Sequence, residues 1–267
     1  MTVPAAVSRF VVDAGTRDIH VDARWQADPR RELGRPLFDS GGLWRLHEAD
    51  GRLAWTFTSP KFGRAPYKTA VFEPDFSAGT VSLHRPYFDA SVPIYPLEYP
   101  LDELLITNWL ALGRGVEIHG CGVVDSNGAG YLLAGHSGAG KSTIARLWQA
   151  QPGVTILSDD RVILRKTGSQ IWMHGTPWHG DEPLASPTRA LLTRGFFLRH
   201  ASRNQMTHVG RGRAVASLFA CSFPPFFSAT GLDFTVSLLA EITHLVPFAE
   251  FGFLPDSGAI DFLRVAR

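Results

Sequence analysis

A chain of 267 residues, 45% of them hydrophobic and 19% charged, has the material for one large domain or two small ones around a buried core. A formal net charge of +1 leaves no electrostatic footprint for nucleic acid or for an anionic membrane surface. The two cysteines, Cys121 and Cys221, cannot build a disulfide framework or a four-ligand zinc site.

The opening stretch from Met1 to Gly15 lacks a charged start followed by an apolar run, and no segment reaches transmembrane length. A reducing, cytoplasmic setting is therefore expected, with no membrane partner. Lysine occurs only at Lys61, Lys68, Lys141 and Lys166, and arginine supplies the other basic residues. Against that background a lysine inside a glycine-rich loop stands out.

Residues 1–95 are rich in aromatic and β-branched residues separated by turn signals, and they read as an antiparallel β region without chemistry of its own. Alternation around Asp50-Gly51 in LWRLHEADGRLAWTF predicts a hairpin. Residues 96–267 read as a second domain. After the proline-marked link VPIYPLEYP, the residues Leu101, Leu104, Leu105, Trp109 and Leu112 give a helical apolar face that Gly113 and Gly115 terminate. VEIHGCGVV and YLLAG follow as strands joined by DSNGAG. A turn this short cannot carry a crossover, so the two strands are expected to be antiparallel neighbours.

Next comes GHSGAGKST, in which Gly135, Gly140, Lys141 and Ser142 satisfy the full phosphate-loop spacing. An apolar strand runs into it and the amphipathic helix KSTIARLWQAQ runs out, which is the context the chemistry needs. Glycines let backbone N–H groups of Gly135, Ser137, Gly138, Ala139 and Gly140 curl around an anion, and the positive end of the helix points at the same place. Lys141 adds a full charge for the β- and γ-phosphates. Ser142 offers a hard oxygen suited to magnesium, and Thr143 completes the binding segment. The expected cofactors are ATP and Mg2+.

Asp159 and Asp160 lie 18 and 19 residues after Lys141, at the end of the apolar strand VTILS. One reading is an ordinary metal-holding acid at a strand end. The other gives the carboxylates separate jobs, one on the metal and one as general base, because neighbours on a strand face opposite ways. His119, set between apolar residues, reads by itself either as a packed core side chain or as part of a site.

Taken in order, His119-Gly120, a tight strand pair, GHSGAGKST and LSDDRV resemble the catalytic domain of HPr kinase/phosphorylase. That family has the phosphoenolpyruvate-carboxykinase-like fold, so the resemblance implies an α/β domain with a mixed β-sheet carrying the phosphate loop. It covers roughly residues 115–185. It implies that Lys141 binds phosphate, that Ser142 and Asp160 serve magnesium, and that Asp159 accepts the proton of an attacking hydroxyl with His119 close to it. It also makes a homo-oligomer possible. Ser158 stands where the family has alanine. The family glutamate near the metal is missing, because Trp172-Met173-His174-Gly175 occupies its place, and Asp181 or Glu182 is the candidate replacement. That departure points to an acceptor other than HPr, namely a hydroxyl, serine for instance, of a peptide, protein or small molecule. The alternatives are a non-catalytic nucleotide-binding module and a carboxykinase-type lyase, which four lysines ill suit.

Overall fold

A computed structural model describes residues 2–26, 33–89, 91–180 and 182–265 of the chain. It is a mixed α/β protein dominated by strands, and its backbone packs into two compact units. One comprises Val12–Trp109 with Met1–Pro4, the other Leu110–Arg267 with Ala5–Val11, which contains the single helical turn α1 (Ala5–Ser8).

The first unit is built on a six-stranded sheet. Its strands are β1 (His20–Gln26), β2 (Pro36–Asp39), β3 (Trp44–Ala49), β4 (Arg52–Ser59), β5 (Gly63–Phe72) and β6 (Ala78–His84), in the order β1-β6-β5-β4-β3-β2. The expected hairpin is present. Ala49 faces Arg52 across a two-residue turn in which Asp50 and Gly51 have φ of 55° and 74°. Two positive φ values match the right-handed twist of the flanking strands, and Asp-Gly is a pair that tolerates them. The expectation of a wholly antiparallel region needs one correction, since β1 pairs with β6 in parallel. Turn signals report only strands joined by short connections, and β1 and β6 are far apart in sequence.

Helix α2 (Leu101–Leu110) is shorter than its apolar pattern suggests. The chain turns at Gly113, with φ of 89°, where the N–H groups of Arg114 and Gly115 both return to the Leu110 carbonyl. Leu112 is consequently exposed rather than on the buried face. Thr107 and Asn108 are buried instead, each donating to a carbonyl one turn back, Glu103 at 2.9 Å and Leu104 at 2.7 Å respectively.

Lys68 on β5 is fully buried, an unusual place for an ammonium. It donates to the Glu98 carbonyl at 3.1 Å, sits 3.4 Å from the Glu98 carboxylate and lies 4.7 Å from the centre of the Phe57 ring. Burial pulls its pKa down to about 8, with Glu98 pulling the other way. An unfolded chain keeps that proton up to 10.5, so between about 8 and 10.5 the unfolded state holds the extra proton. Stability therefore rises with pH across that window and sits at its lower level below it. Lys68→Met is expected to stabilise the fold at neutral pH by on the order of 3 kcal/mol, read as a higher melting temperature, with the gain shrinking as pH approaches 10.5. Thermal melts of both proteins at pH 7 and pH 10 check it. A Met variant that melts lower at pH 7 would show that the Glu98 contacts outweigh the desolvation cost.

The second unit carries an eight-stranded mixed sheet. Its strands are β7 (Val116–Val124), β8 (Gly130–Ala134), β9 (Thr155–Ser158), β10 (Arg161–Thr167), β11 (Gln170–Gly175), β12 (Arg189–His200), β13 (Gln205–His208) and β14 (Phe248–Phe253). The order is β11-β10-β7-β8-β12-β14-β13, with β9 paired to β7 and β11 also paired to β12. As the short turn requires, β7 and β8 are antiparallel neighbours, with Gly120 opposite Ala134 and Val124 opposite Gly130. The other neighbour of β8 is β12, and that pair is parallel.

Helices α3 (Lys141–Gln149), α4 (Arg211–Ala220), α5 (Ala229–Leu245) and α6 (Gly258–Val265) complete the unit. Alternation along β7 divides the core. Val116 and Ile118 join one apolar cluster with Leu218 of α4 and Leu239 and Ile242 of α5. Cys121 and Val123 join the other with Ile144 and Trp148 of α3 and Ile260 and Leu263 of α6. The β7–β8 turn is anchored as well as short. Gly128 takes φ of 85°, the Asp125 carbonyl accepts its N–H at 2.8 Å, and Arg264 of α6 grips the Asp125 carboxylate at 2.7 and 3.0 Å. That bidentate contact holds Asp125 below the usual carboxylate range. Among the described residues, no helix is long and apolar enough to cross a membrane.

Candidate functional site

The end of β8 feeds the glycine-rich loop directly, and α3 begins at Lys141. The residue before the helix, Gly140, has φ of 98°, and a Cβ there would meet the Phe253 ring at 2.7 Å. Gly138 has φ of 80°. Two left-handed positions within three residues bend the loop back toward the helix, whose first N–H groups lack intrahelical partners and face the loop interior. No side chain caps this end. An anion is the natural complement to such a terminus.

Lys141 is 7% exposed and donates to the carbonyls of Gly135 at 2.9 Å and His136 at 3.0 Å. Burial pulls its pKa down, Asp160 opposes that, and Arg161 adds to it. Ser137, Gly138, Gly140, Lys141, Ser142 and Thr143 line a cleft of about 380 Å3 together with His119, Asp159, Asp160, Gly180 and His200. Ala139 does not; it is 1% exposed and belongs to the core under α3. Gly135 contributes its carbonyl to the lysine.

The two aspartates reach the cleft by a route the strand pattern does not anticipate. Strand β9 ends at Ser158, so Asp159 and Asp160 lie in a turn and do not alternate across a strand. The turn is built around the fully buried Ser158 hydroxyl. It accepts the N–H groups of Asp160 at 3.2 Å and Arg161 at 3.0 Å and donates to the Trp178 carbonyl at 2.8 Å. An alanine here would leave those groups without this partner.

The aspartates then meet different surroundings. Asp159 is 2% exposed, and its oxygens accept the N–H groups of Gly180 at 3.0 Å and Glu182 at 3.3 Å. Burial nevertheless raises its pKa above the ordinary carboxylate value, against the lowering effect of those N–H groups. Asp160 is shifted the other way. Burial, the largest single influence, raises it, but the His119 hydrogen bond and the charges of Arg161 and Lys141 together hold it low. His119 Nε2 lies 3.0 Å from Asp160 Oδ1, and the Arg161 guanidinium grips Asp160 Oδ2. The imidazole thus partners Asp160, and it shares the cleft with Asp159. The cause is register. His119 faces Arg161 across β7 and β10, and the N–H of Gly120 donates to the Asp160 carbonyl at 3.0 Å.

Asp181 lies outside the described residues, and the Glu182 carboxylate is 2.7 Å from Arg146 of α3. On β11, His174 is held neutral, its pKa pushed down to about 4 by burial and then by the charges of Arg165 and Arg189. Among the described residues no group of three or more His, Cys, Asp and Glu side chains is arranged to hold a metal ion. The lining residues that carry side-chain oxygens are Ser137, Ser142, Thr143, Asp159 and Asp160.

His200, at the end of β12, escaped the reading of the sequence. Its Nε2 lies 2.7 Å from the Gly138 carbonyl and its ring stacks on Phe253, with centroids 6.3 Å apart. Only the parallel β8–β12 pairing brings it to the loop, and nothing local announces that pairing. No protein-family model matches the chain, and no curated protein matches it in sequence.

Proposed function

We propose that the protein is an ATP-dependent phosphotransferase of the HPr kinase-related type, moving the γ-phosphate to a hydroxyl of a peptide, protein or small molecule. The observation that carries this reading is convergence. A glycine loop, a helix N-terminus, a lysine, two differently tuned carboxylates and an imidazole share one cleft. Each contributes where phosphoryl transfer needs it. The loop N–H groups and Lys141 bind and neutralise the phosphates. Asp159, with its raised pKa, takes the proton from the incoming hydroxyl as its oxygen bonds to phosphorus and the bond to ADP breaks. The cleft's hard donors, the Ser142 hydroxyl and the Asp160 carboxylate, fit magnesium, which when bound supplies charge neutralisation on the phosphates. Catalysis is then positioning plus electrostatics.

Incubation with γ-labelled ATP, magnesium and a cell extract tests this. Transfer of label to an acceptor, lost in Asp159→Asn, is the expected result. A second reading, a nucleotide-binding module without chemistry, is favoured by the absence of a glutamate from Trp172-Met173-His174-Gly175, where the family resemblance expects one. It requires that ATP bind and that all label remain on nucleotide. A carboxykinase-type reaction would appear instead as ATP-dependent consumption of added oxaloacetate.

A further inference from the structure

Asp160 cannot be considered apart from Arg161. That guanidinium is held on three sides. It grips Asp160 Oδ2, its Nε lies 3.3 Å from Glu117 Oε1, and its planar head stands 4.3 Å from the centre of the Phe223 ring. Only 17% of the Arg161 side chain is exposed, and Glu117 is 1% exposed. Glu117 lies two residues before His119 on β7, so the strand presents an anion and the imidazole on one face. Phe223 is fixed too, because its N–H donates to the Glu117 carbonyl at 3.3 Å. A cation anchored by stacking, a buried counter-charge and β10 is part of the site's permanent field.

We propose that Arg161 is a fixed competing cation at Asp160 which limits how tightly the site grips magnesium with ATP, and that buried Glu117 sets the strength of that competition. The inference rests on the nucleotide-binding reading above. With one Asp160 oxygen committed to Arg161 and the other facing His119, a divalent ion drawn to Asp160 meets an adjacent positive charge. Glu117 meets the same guanidinium at its Nε and offsets part of its charge. A site that holds its metal loosely also releases it readily with the spent nucleotide.

The two members of the pair must therefore act with opposite sign. Calorimetric titration of ATP at a series of magnesium concentrations reads this without any turnover. Arg161→Met is expected to lower the magnesium concentration needed for half-maximal ATP affinity roughly tenfold, and Glu117→Gln to raise it roughly threefold. A purely structural role would move both variants the same way. Because Arg161→Met strands a buried carboxylate, the double variant Glu117→Gln/Arg161→Met is measured alongside it. It should recover thermal stability while keeping the lowered magnesium requirement. Magnesium-dependent ATP binding in the wild type, with both single variants shifted alike or neither shifted, overturns this inference alone. Absence of ATP binding in the wild type overturns the functional reading and this inference with it.

Discussion

Lys141→Ala is expected to lose ATP affinity by about thirtyfold or more while the protein remains folded. The lysine is the first residue of α3 and is buried, and its ammonium donates to the loop carbonyls of Gly135 and His136. A phosphate arriving in the loop offers that ammonium a charged acceptor in a partly desolvated setting, where truncating one partner costs roughly 2–5 kcal/mol. The fold does not depend on it in the same way. Alanine is the best helix former, and the core beneath α3 is made by Ile144, Ala145 and Trp148, all fully buried. Circular dichroism and a thermal melt report the fold, and calorimetry reports the nucleotide. Wild-type affinity in a folded Lys141→Ala protein would remove the basis for calling the cleft a nucleotide site.

What the sequence made legible was local chemistry. Asp50-Gly51 announces a hairpin because the turn needs two positive φ values. DSNGAG forces β7 and β8 to be antiparallel because six residues cannot carry a crossover. The glycine loop announces its helix because Gly140 must precede Lys141 in a left-handed conformation. What stayed hidden depends on long-range pairing. His200 reaches Gly138 only through the β8–β12 ladder, β1 reaches β6 across the whole meander, and Arg161 meets Glu117 only through β10 and β7. The aspartates fall between these cases. Their place after a strand is readable, but their separation is not a matter of strand alternation. It comes from Ser158, whose buried hydroxyl winds the chain into a turn, and from the N–H groups of Gly180 and Glu182 beyond β11. No short-range pattern encodes a hydroxyl that satisfies three distant or neighbouring backbone groups at once.

The separation of the aspartates leads to the second large expected effect. Asp159→Asn should leave the affinity for ATP with magnesium nearly unchanged and lower phosphoryl transfer by roughly 10² to 10⁴-fold. Its carboxylate sits where burial favours the protonated form more than usual, which suits a group that must take a proton at the moment of attack. The N–H groups of Gly180 and Glu182 aim it without supplying a charge to the phosphates. Asparagine keeps the size and one acceptor oxygen but cannot accept that proton. Asp160→Asn should do something different. Its carboxylate is held ionised among His119, Arg161 and Lys141, so its loss removes from the cleft the anion that faces them there. Magnesium-dependent ATP binding should weaken, with ATP affinity in the absence of magnesium equal to the wild type's or higher, since a repulsive charge near the phosphates is gone. The pair of variants thus separates chemistry from binding, which a single metal-holding acid would not do. Binding is read by calorimetry and transfer by single-turnover label release to the identified acceptor. If Asp159→Asn transfers phosphate at the wild-type rate, Asp159 is not the base, and proton removal must be reassigned within the cleft, with the His119–Asp160 pair as the next group to test.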